Sequence, residues 1–544
     1  MKRIWCFQLL CSLILVTTKG QAQKGILVDS TVFVIDGTLF PYNSLQAGDS
    51  LVLLNGIRPF IIFKNIIGSP KQPITIINQG GIVEINSDHY FGISIRKSKY
   101  IKISGAGDST SPFGIRIFNR IGSGLSIGDF SSDFEVEFVE VGNSQYAGII
   151  AKTEPYCGFD RNSFTQENTV IHHCYVHDTG TEGMYIGSTF YQGQTVQCNG
   201  VPSVVLPALL HNVNIHHNRV ENTGWDGIQV ASALNTKIHH NQIKHDSQQL
   251  ANWQMTGIAL GEGSTGEIYN NKIIDGEGLG IYCKGLGDVL IYNNQIIRPG
   301  YKNNLPSGKY GIYIEGNASI PGKYFHIVNN LIINPKFEGI RFLNAKGATN
   351  NSIKNNVIVQ ESYLIVDDKA AFINTLSQQI DVSNNFTTTD MSTVRFSNHR
   401  QDDYSAEEGS FLIDGGANLE HLKISFDYND QMRIIGNSID IGPFESEYLR
   451  NNSVDHYAHE NAIPNPVSTT NKTTIHFDNP DEGWIEFALV NLLGGEIKTI
   501  DRVYYEKGKQ LKTIQGNVLQ PGLNFLLIRK RMTSSLVKIS VFEE

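Results

Sequence analysis

Ile215-His216-His217-Asn218 and, 23 residues on, Ile238-His239-His240-Asn241 decide the fold of this chain. The same pattern returns as Ile268-Tyr269-Asn270-Asn271, Ile291-Tyr292-Asn293-Asn294, Ile327-Val328-Asn329-Asn330 and Ile353-Lys354-Asn355-Asn356. An earlier copy, Ile171-His172-His173-Cys174, ends in Cys. From Asn218 to Asn356 the last Asn recurs at steps of 23, 30, 23, 36 and 26 residues. A branched apolar residue follows two positions later: Val176, Val220, Ile243, Ile273, Ile296, Ile332 and Ile358. Then come a Gly and a second short strand, as in Gly183-Met184-Tyr185-Ile186, Gly227-Ile228-Gln229-Val230, Gly257-Ile258-Ala259-Leu260, Gly280-Ile281-Tyr282-Cys283, Gly311-Ile312-Tyr313-Ile314 and Gly339-Ile340-Arg341-Phe342. Self-similarity at this period means one coil per repeat, stacked on the next. Alternate apolar residues point into the stack. Asn tolerates left-handed backbone at a corner, and stacked Asn side chains can hydrogen-bond along their column. Variable spacing leaves the corners constant and puts the extra length in loops. The repeats predict an all-β chain, a right-handed parallel β-helix.

Composition agrees. The 544 residues include 52 Gly and only 18% charged residues, against averages of about 7% Gly and 25% charged. A hydrophobic fraction of 40% excludes disorder, and sparse Ala and Glu argue against an all-helical fold. The net charge of −9 supplies no basic stripe, so nucleic acid is not an expected partner.

The N-terminus reads as an address. Lys2 and Arg3 precede an apolar stretch from Ile4 to Val16, and Gly20-Gln21-Ala22 offers small residues for cleavage. The stretch is too short to span a bilayer. Residues 1–22 are expected to be a signal peptide, and no transmembrane segment is expected in the mature chain. Cys11 follows Leu10 rather than a small residue, which argues against a lipid anchor. Of the remaining cysteines none has CxxC spacing. Cys157 and Cys198 both lie in loop-like sequence and are the expected disulfide of an exported protein.

The composition shifts near the end. Residues 447–462 are polar and His-rich and read as a linker. From 463 to 544, short alternating strands such as Ile485-Glu486-Phe487-Ala488-Leu489 and Asn524-Phe525-Leu526-Leu527-Ile528 are separated by turns, which predicts a small β-sandwich.

By its Ile-x-x-Asn and Gly-Ile repeats, the stretch 23–446 resembles the pectate-lyase-like β-helix superfamily. Ala47-Gly48-Asp49-Ser50-Leu51-Val52-Leu53 is similar to the opening coils of secreted polysaccharide-active members. Asp414-Gly415-Gly416, Arg433 and Asp440-Ile441-Gly442-Pro443-Phe444-Glu445 are similar to the closing segment of bacterial surface members. The resemblance implies an exported protein that acts on or binds polysaccharide, as glycoside hydrolase, polysaccharide lyase or adhesin. The C-terminal module resembles the sorting domain of the type IX secretion system, through Pro464-Asn465-Pro466, Asn491-Leu492-Leu493-Gly494 and Leu519-Gln520-Pro521-Gly522; it departs in having Leu523 where that family has Tyr. This implies the type IX machinery as a partner, and release from, or attachment to, the outer surface of a Gram-negative bacterium. A monomer is expected. Tyr156-Cys157-Gly158-Phe159-Asp160 is similar to the catalytic stretch of alginate C5-epimerases, but Arg161-Asn162-Ser163 stands where that stretch has Pro-His-Glu.

Nine of the 16 His fall between His172 and His245. His172, His216 and His239 follow the Ile of their repeats and continue as Tyr269 and Tyr292. Strand alternation points this ladder outward, where planar rings suit sugar faces. Insertions at 153–168, 188–210 and 246–256 interrupt the same coils and carry Phe190, Tyr191 and Trp253; such loops gather binding residues. The substrate-binding candidates are therefore Tyr185, His172, His216, His239, Tyr269, Tyr292 and Trp253. For catalysis, Asp178, Glu182, Asp226, His245, Lys284 and Arg298 lie in these coils. Glu182 and Asp226 occupy equivalent positions before the landmark Gly, as a two-carboxylate hydrolase requires; His245, Tyr185, Lys284 and Arg298 offer the base or cation of a lyase. No cofactor is required by this reading, calcium is the ion a uronate site would admit, and no metal ligands are assigned.

Overall fold

The computed structural model describes residues 24–304, 308–361, 372–376, 378, 380–436, 438–447, 461–463, 467–479, 481–490, 496–530 and 534–542. The leader at 1–22, most of the linker at 447–462, Pro464-Asn465-Pro466 and Asn491–Gly494 lie outside the described residues. In the described residues no helix is long and apolar enough to cross a membrane.

The chain winds as a parallel β-helix. A wide sheet of 24 strands takes two strands from most coils and a narrow sheet of 12 takes one. Leu209–His216 and Arg219–Thr223 on the wide sheet, then Ile228–Val230 on the narrow one, make one such coil. The register is that of the repeats. Ile171, Ile215, Ile238, Ile268, Ile291, Ile327 and Ile353 pair in one column. Val176, Val220, Ile243, Ile273, Ile296, Ile332 and Ile358 pair in a second. Met184, Ile228, Ile258, Ile281, Ile312 and Ile340 pair on the narrow sheet. All are buried to within 2%, each contributing roughly 1.5–3 kcal/mol by leaving water.

The bend between the two wide-sheet strands divides its work between two adjacent residues. The first adopts left-handed backbone, with φ of +52° to +56° at His173, His217, His240, Asn270, Asn293, Asn329 and Asn355. The second points inward. From Asn218 through Asn241, Asn271, Asn294, Asn330 and Asn356 to Asn385, each amide Nδ2 donates to the Oδ1 of the next at 2.9–3.0 Å. Its other hydrogen goes to the carbonyl of the repeat Ile in the preceding coil, as Asn294 does to Ile268 at 2.8 Å. Each Oδ1 also accepts the backbone N–H of the coil before it, Asn271 N to Asn294 Oδ1 at 3.1 Å being one case. The buried column is therefore fully satisfied, with Cys174 at its head donating its backbone N–H to Asn218 Oδ1. The landmark glycines are set by close approach: a Cβ on Gly257 would stand 2.6 Å from Ile273 Cγ2 and 2.9 Å from the Gly280 carbonyl.

Beyond the last coil the chain folds back along the stack. Met391, Val394, Phe396, Tyr404 and Leu412 pack on the outside of the second wide-sheet strand, against Ile274, Ile297, Leu331 and Val357. Leu419 and Ile439 cover Val328 and Tyr292 at the bend. The closing motif ties this segment shut through buried Arg433 and Glu445, 3.8 Å apart, and Asp440, which accepts the N–H groups of Asp414 and Ser446. The C-terminal module has a three-stranded antiparallel sheet and a five-stranded sheet, antiparallel but for one edge strand, around Ile475, Phe477, Ile485, Phe487, Leu526, Ile528 and Ile539.

Asn294→Ala leaves the Asn271 backbone N–H and one hydrogen of its amide without an acceptor and takes a donor from the Ile268 carbonyl and from Asn330 Oδ1. At roughly 1–3 kcal/mol for each unmet group, it is expected to lower unfolding free energy by several kcal/mol, read from denaturant midpoints. Gly257→Ala, which forces backbone apart, is expected to cost about 1–3 kcal/mol.

Candidate functional site

Loops enter this solenoid on both sides of the narrow sheet. On one side, residues 152–164 and 187–208 leave narrow strands for wide ones, and on the other, 245–255, and 298–304 with 308–311, return to narrow strands. The outer face of the narrow sheet thus lies between two walls of insertions. The first wall is rigid. Cys157 and Cys198 form the expected disulfide, which joins the 152–164 loop to the hairpin of strands Gln194–Cys198 and Val201–Val205. Phe159, Val205 and Ala208 make a small core beneath it. Arg161 donates to the carbonyls of Pro207 and Tyr191, with its guanidinium 4.6 Å from the Tyr191 ring centre. Phe190, 52% exposed, stands on this wall, and Trp253, 81% exposed, on the opposite one.

The floor between them follows from the repeat. In each Gly-Ile-x strand the Ile faces inward, so x faces out. Its register gives the row Ile150, Tyr185, Gln229, Ala259, Tyr282, Tyr313 and Arg341. Lys152 lies 4.2 Å from the Tyr185 ring centre and pairs with Glu154 at 2.6 Å. Tyr282 and Tyr313 stack at 5.3 Å, and the Tyr282 hydroxyl donates to Glu315. Lys284 Nζ is 3.9 Å from Glu315, and Arg341 pairs with Glu338 at 2.9 Å.

Glu182 and Asp226 edge this floor. The N–H of Gly183 donates to the Asp226 carbonyl at 2.9 Å, which sets the two acids one above the other in neighbouring coils. Both are buried, at 4% and 1% exposure. Burial holds the Asp226 carboxyl well above the usual carboxylate range, and the charges of Glu182 and Asp246 raise it further. Glu182 is raised by burial too, with Lys152 acting against the rise. Asp226 Oδ2 accepts from Gln229 Nε2 at 2.7 Å, and Gln229 donates again to Gln254 Oε1 of the 245–255 loop at 2.9 Å. Beneath them, Asp246 is fully buried and pushed up to about 7, chiefly by desolvation.

The remaining candidates do not converge there. Asp178, His245 and Arg298 share the bend that leaves the wide sheet, all with left-handed backbone. Asp178 bonds His177 at 2.6 Å and Asn222 at 3.0 Å, and His245 is exposed. Arg298 is held in a double ion pair with Asp275 and Asp402, which pins the returning C-terminal segment. Its donors are committed there, so the base or cation role expected of it has no free group. The His172, His216, His239, Tyr269 and Tyr292 ladder exists, with rings 4.6–5.0 Å apart and within 8° of parallel. It stands at the far end of the long wide-sheet strands, away from the loop walls, and its Tyr292 end lies under Leu419, Leu422 and Ile439. The ladder and the aromatic loops, grouped as substrate-binding candidates because they share coils, occupy different faces. The floor residues Lys152, Gln229, Tyr282, Tyr313 and Arg341 went unremarked in the sequence, although the x of each Gly-Ile-x was the signal for them.

Fold and floor together define a parallel β-helix protein with a walled, aromatic and acid-bearing narrow face. Residues 211–387 match the family described as right handed beta helix region. No curated protein matches the sequence. Among solved structures the chain is similar to a GH136 lacto-N-biosidase from Eubacterium ramulus, at 14% identity and TM-score 0.42 over 63% of this chain and 62% of that one. It is also similar to an alginate lyase from Paenibacillus sp., at 13% identity and TM-score 0.39 over 66% and 99%. A third is the pectate lyase Pel9A, at 12% and 0.37 over 78% and 97%. The match thus spans less than two thirds of the lacto-N-biosidase.

Asp246 offers a stability test with a defined sign. Its folded-state pKa stands above the ordinary value of 3.8, so folding favours its neutral form, and the stability it lends is lost as pH rises from about 4 through 7. Asp246→Asn is expected to raise the thermal midpoint at pH 8 relative to the parent and to leave it little changed at pH 4, read by circular dichroism.

Proposed function

We propose that this chain is an exported enzyme that cleaves a polysaccharide by hydrolysis on the narrow face of its β-helix. The observation that carries the reading is the stacked pair Glu182 and Asp226 at the edge of a floor walled by insertions. Hydrolysis of a glycosidic bond uses one carboxyl kept protonated and one ionised. Asp226, the more deeply buried and flanked by acids, retains its proton and serves as general acid. Glu182, beside Lys152, ionises first and acts as nucleophile. Their backbones stand one strand spacing apart, about 4.8 Å, which favours the closer carboxyl separation of a retaining enzyme. Tyr185, Tyr282 and Tyr313 supply ring faces for successive sugars, and Trp253 closes from the loop. Calcium takes 6–8 oxygen ligands, commonly ionised carboxylates; a pair in which one carboxyl keeps its proton suits proton transfer better, and no step runs through the ion.

The same reading makes residues 1–22 the export leader and 463–544 the type IX sorting module, with the mature monomer released or held at the outer surface of a Gram-negative cell. A second reading is favoured by the near-complete burial of both acids: the pair is structural, and the face binds glycan without cleaving it.

A panel of neutral and uronic polysaccharides separates these readings. New reducing ends without an unsaturated product are expected. An ultraviolet-absorbing unsaturated uronate would mean a lyase, and binding with neither signal would leave the non-catalytic reading. Glu182→Gln and Asp226→Asn are each expected to lower kcat roughly 10²–10⁴-fold with the circular dichroism spectrum unchanged, while Trp253→Ala raises KM.

A further inference from the structure

Six imidazoles on three successive coils meet in pairs through Nδ1: His172 with His173 at 2.7 Å, His216 with His217 at 2.9 Å and His239 with His240 at 2.8 Å. Each pair joins the last ring of a wide-sheet strand to that of the left-handed corner residue after it. The pairs stack face to face, with ring centres 4.8–5.1 Å apart in both columns. This face lies apart from the proposed glycan site, and the function proposed above does not use it as a metal centre.

The other ring nitrogens decide where the protons sit. His172 Nε2 lies 3.1 Å from Glu135 Oε1, His239 Nε2 3.0 Å from Asn214 Oδ1 and His240 Nε2 3.2 Å from Asp430 Oδ1. All three partners accept, so they keep the proton on Nε2 and leave Nδ1 as a lone pair. Asn270 Nδ2 also stands 3.1 Å from His240 Nε2, but it directs hydrogens to the carbonyls of Asp427 and Tyr428. In the His239–His240 pair both Nδ1 lone pairs then face each other at 2.8 Å. Such an arrangement repels unless an electrophile lies between them, a proton or a metal ion. Protons in all three stacked pairs would put cations roughly 5 Å apart, where like charges repel. Neutral imidazole is the metal-binding form.

Distance selects the metal. With metal–nitrogen bonds of about 2.0–2.1 Å, the N···N separations of 2.7 Å in the His172–His173 pair and 2.8 Å in the His239–His240 pair subtend close to a right angle at an ion, and His216 and His217 then serve different ions. A tetrahedral site needs the nitrogens wider apart. Right-angled nitrogen donors suit tetragonal Cu(II) or Ni(II). The rings also divide without overlap into two sets of three, His172, His173 and His216, and His217, His239 and His240, each with donor atoms within 4.8 Å of one another.

We propose that the paired-histidine bend of coils 171–241 binds two tetragonal divalent transition-metal ions, Cu(II) foremost, one in each three-nitrogen set. Each ion bridges two coils across the bend.

The test uses the untagged protein after its leader. Titration with Cu(II), removal of excess by gel filtration and elemental analysis are expected to return two ions per chain, with an electron paramagnetic resonance spectrum showing nitrogen ligation. The variant His173→Asn, His217→Asn and His240→Asn removes one ring of every pair. Asn occupies the same left-handed position at Asn270 and Asn293, so the variant is expected to keep its circular dichroism spectrum and lose Cu(II) affinity at least tenfold. His211→Asn with His245→Asn, off the ladder, is expected to change neither. Uptake equal in parent and ladder variant, equal losses in both variants, or a spectrum without nitrogen ligation would each overturn the proposal.

Discussion

The structure depends on one buried hydrogen-bond column. Seven asparagine side chains, Asn218 to Asn385, lie in the apolar interior, and each amide finds its partners only in the coils above and below. An unpaired amide there is costly, so every coil must arrive at the bend in register. A slip of one residue would orphan the whole column and turn the branched apolar rows to water. The coil length between bends is free, and extra residues leave as loops where the narrow sheet begins and ends.

That division explains how the narrow face acquires its acids, rings and walls. Register fixes Glu182 above Asp226 and Tyr282 beside Tyr313, while insertions of unequal length build walls on either side. The acids are thus brought together by the scaffold rather than by local sequence, and burial raises both carboxyls above the ordinary carboxylate range. Opposite needs govern the wide-sheet bend. Its left-handed corner accepts Asn or His, and the three coils that place His there also place His one residue earlier, which produces the facing ring pairs. The C-terminal segment then covers the Tyr292 end of that ladder and leaves the histidine end beside Glu135 and Asp430.

The coil, its inward rows, the asparagine column and the close-packed glycines were all legible in the sequence, because each recurs at a fixed place in a short repeat. The stacking of Glu182 on Asp226 followed from position in the same way, and the pairing of Cys157 with Cys198 from the loop-like sequence that holds both. The roles expected of Arg298 and Asp178 did not. Arg298 meets Asp402, 104 residues away, a contact that no repeat announces. The ladder and the aromatic loops were grouped as binding candidates because they share coils; coil number says nothing of which face a residue takes.

The sequence by itself determined a parallel β-helix with a fixed bend and variable loops, since period, alternation and asparagine chemistry are local properties of the chain. Only the tertiary structure decided that the loops wall the narrow sheet, that the returning C-terminal segment occupies the outside of the wide one, and that imidazoles face each other through Nδ1. Those outcomes turn on side-chain direction and on contacts between residues far apart in the chain, which depend on how the coils close.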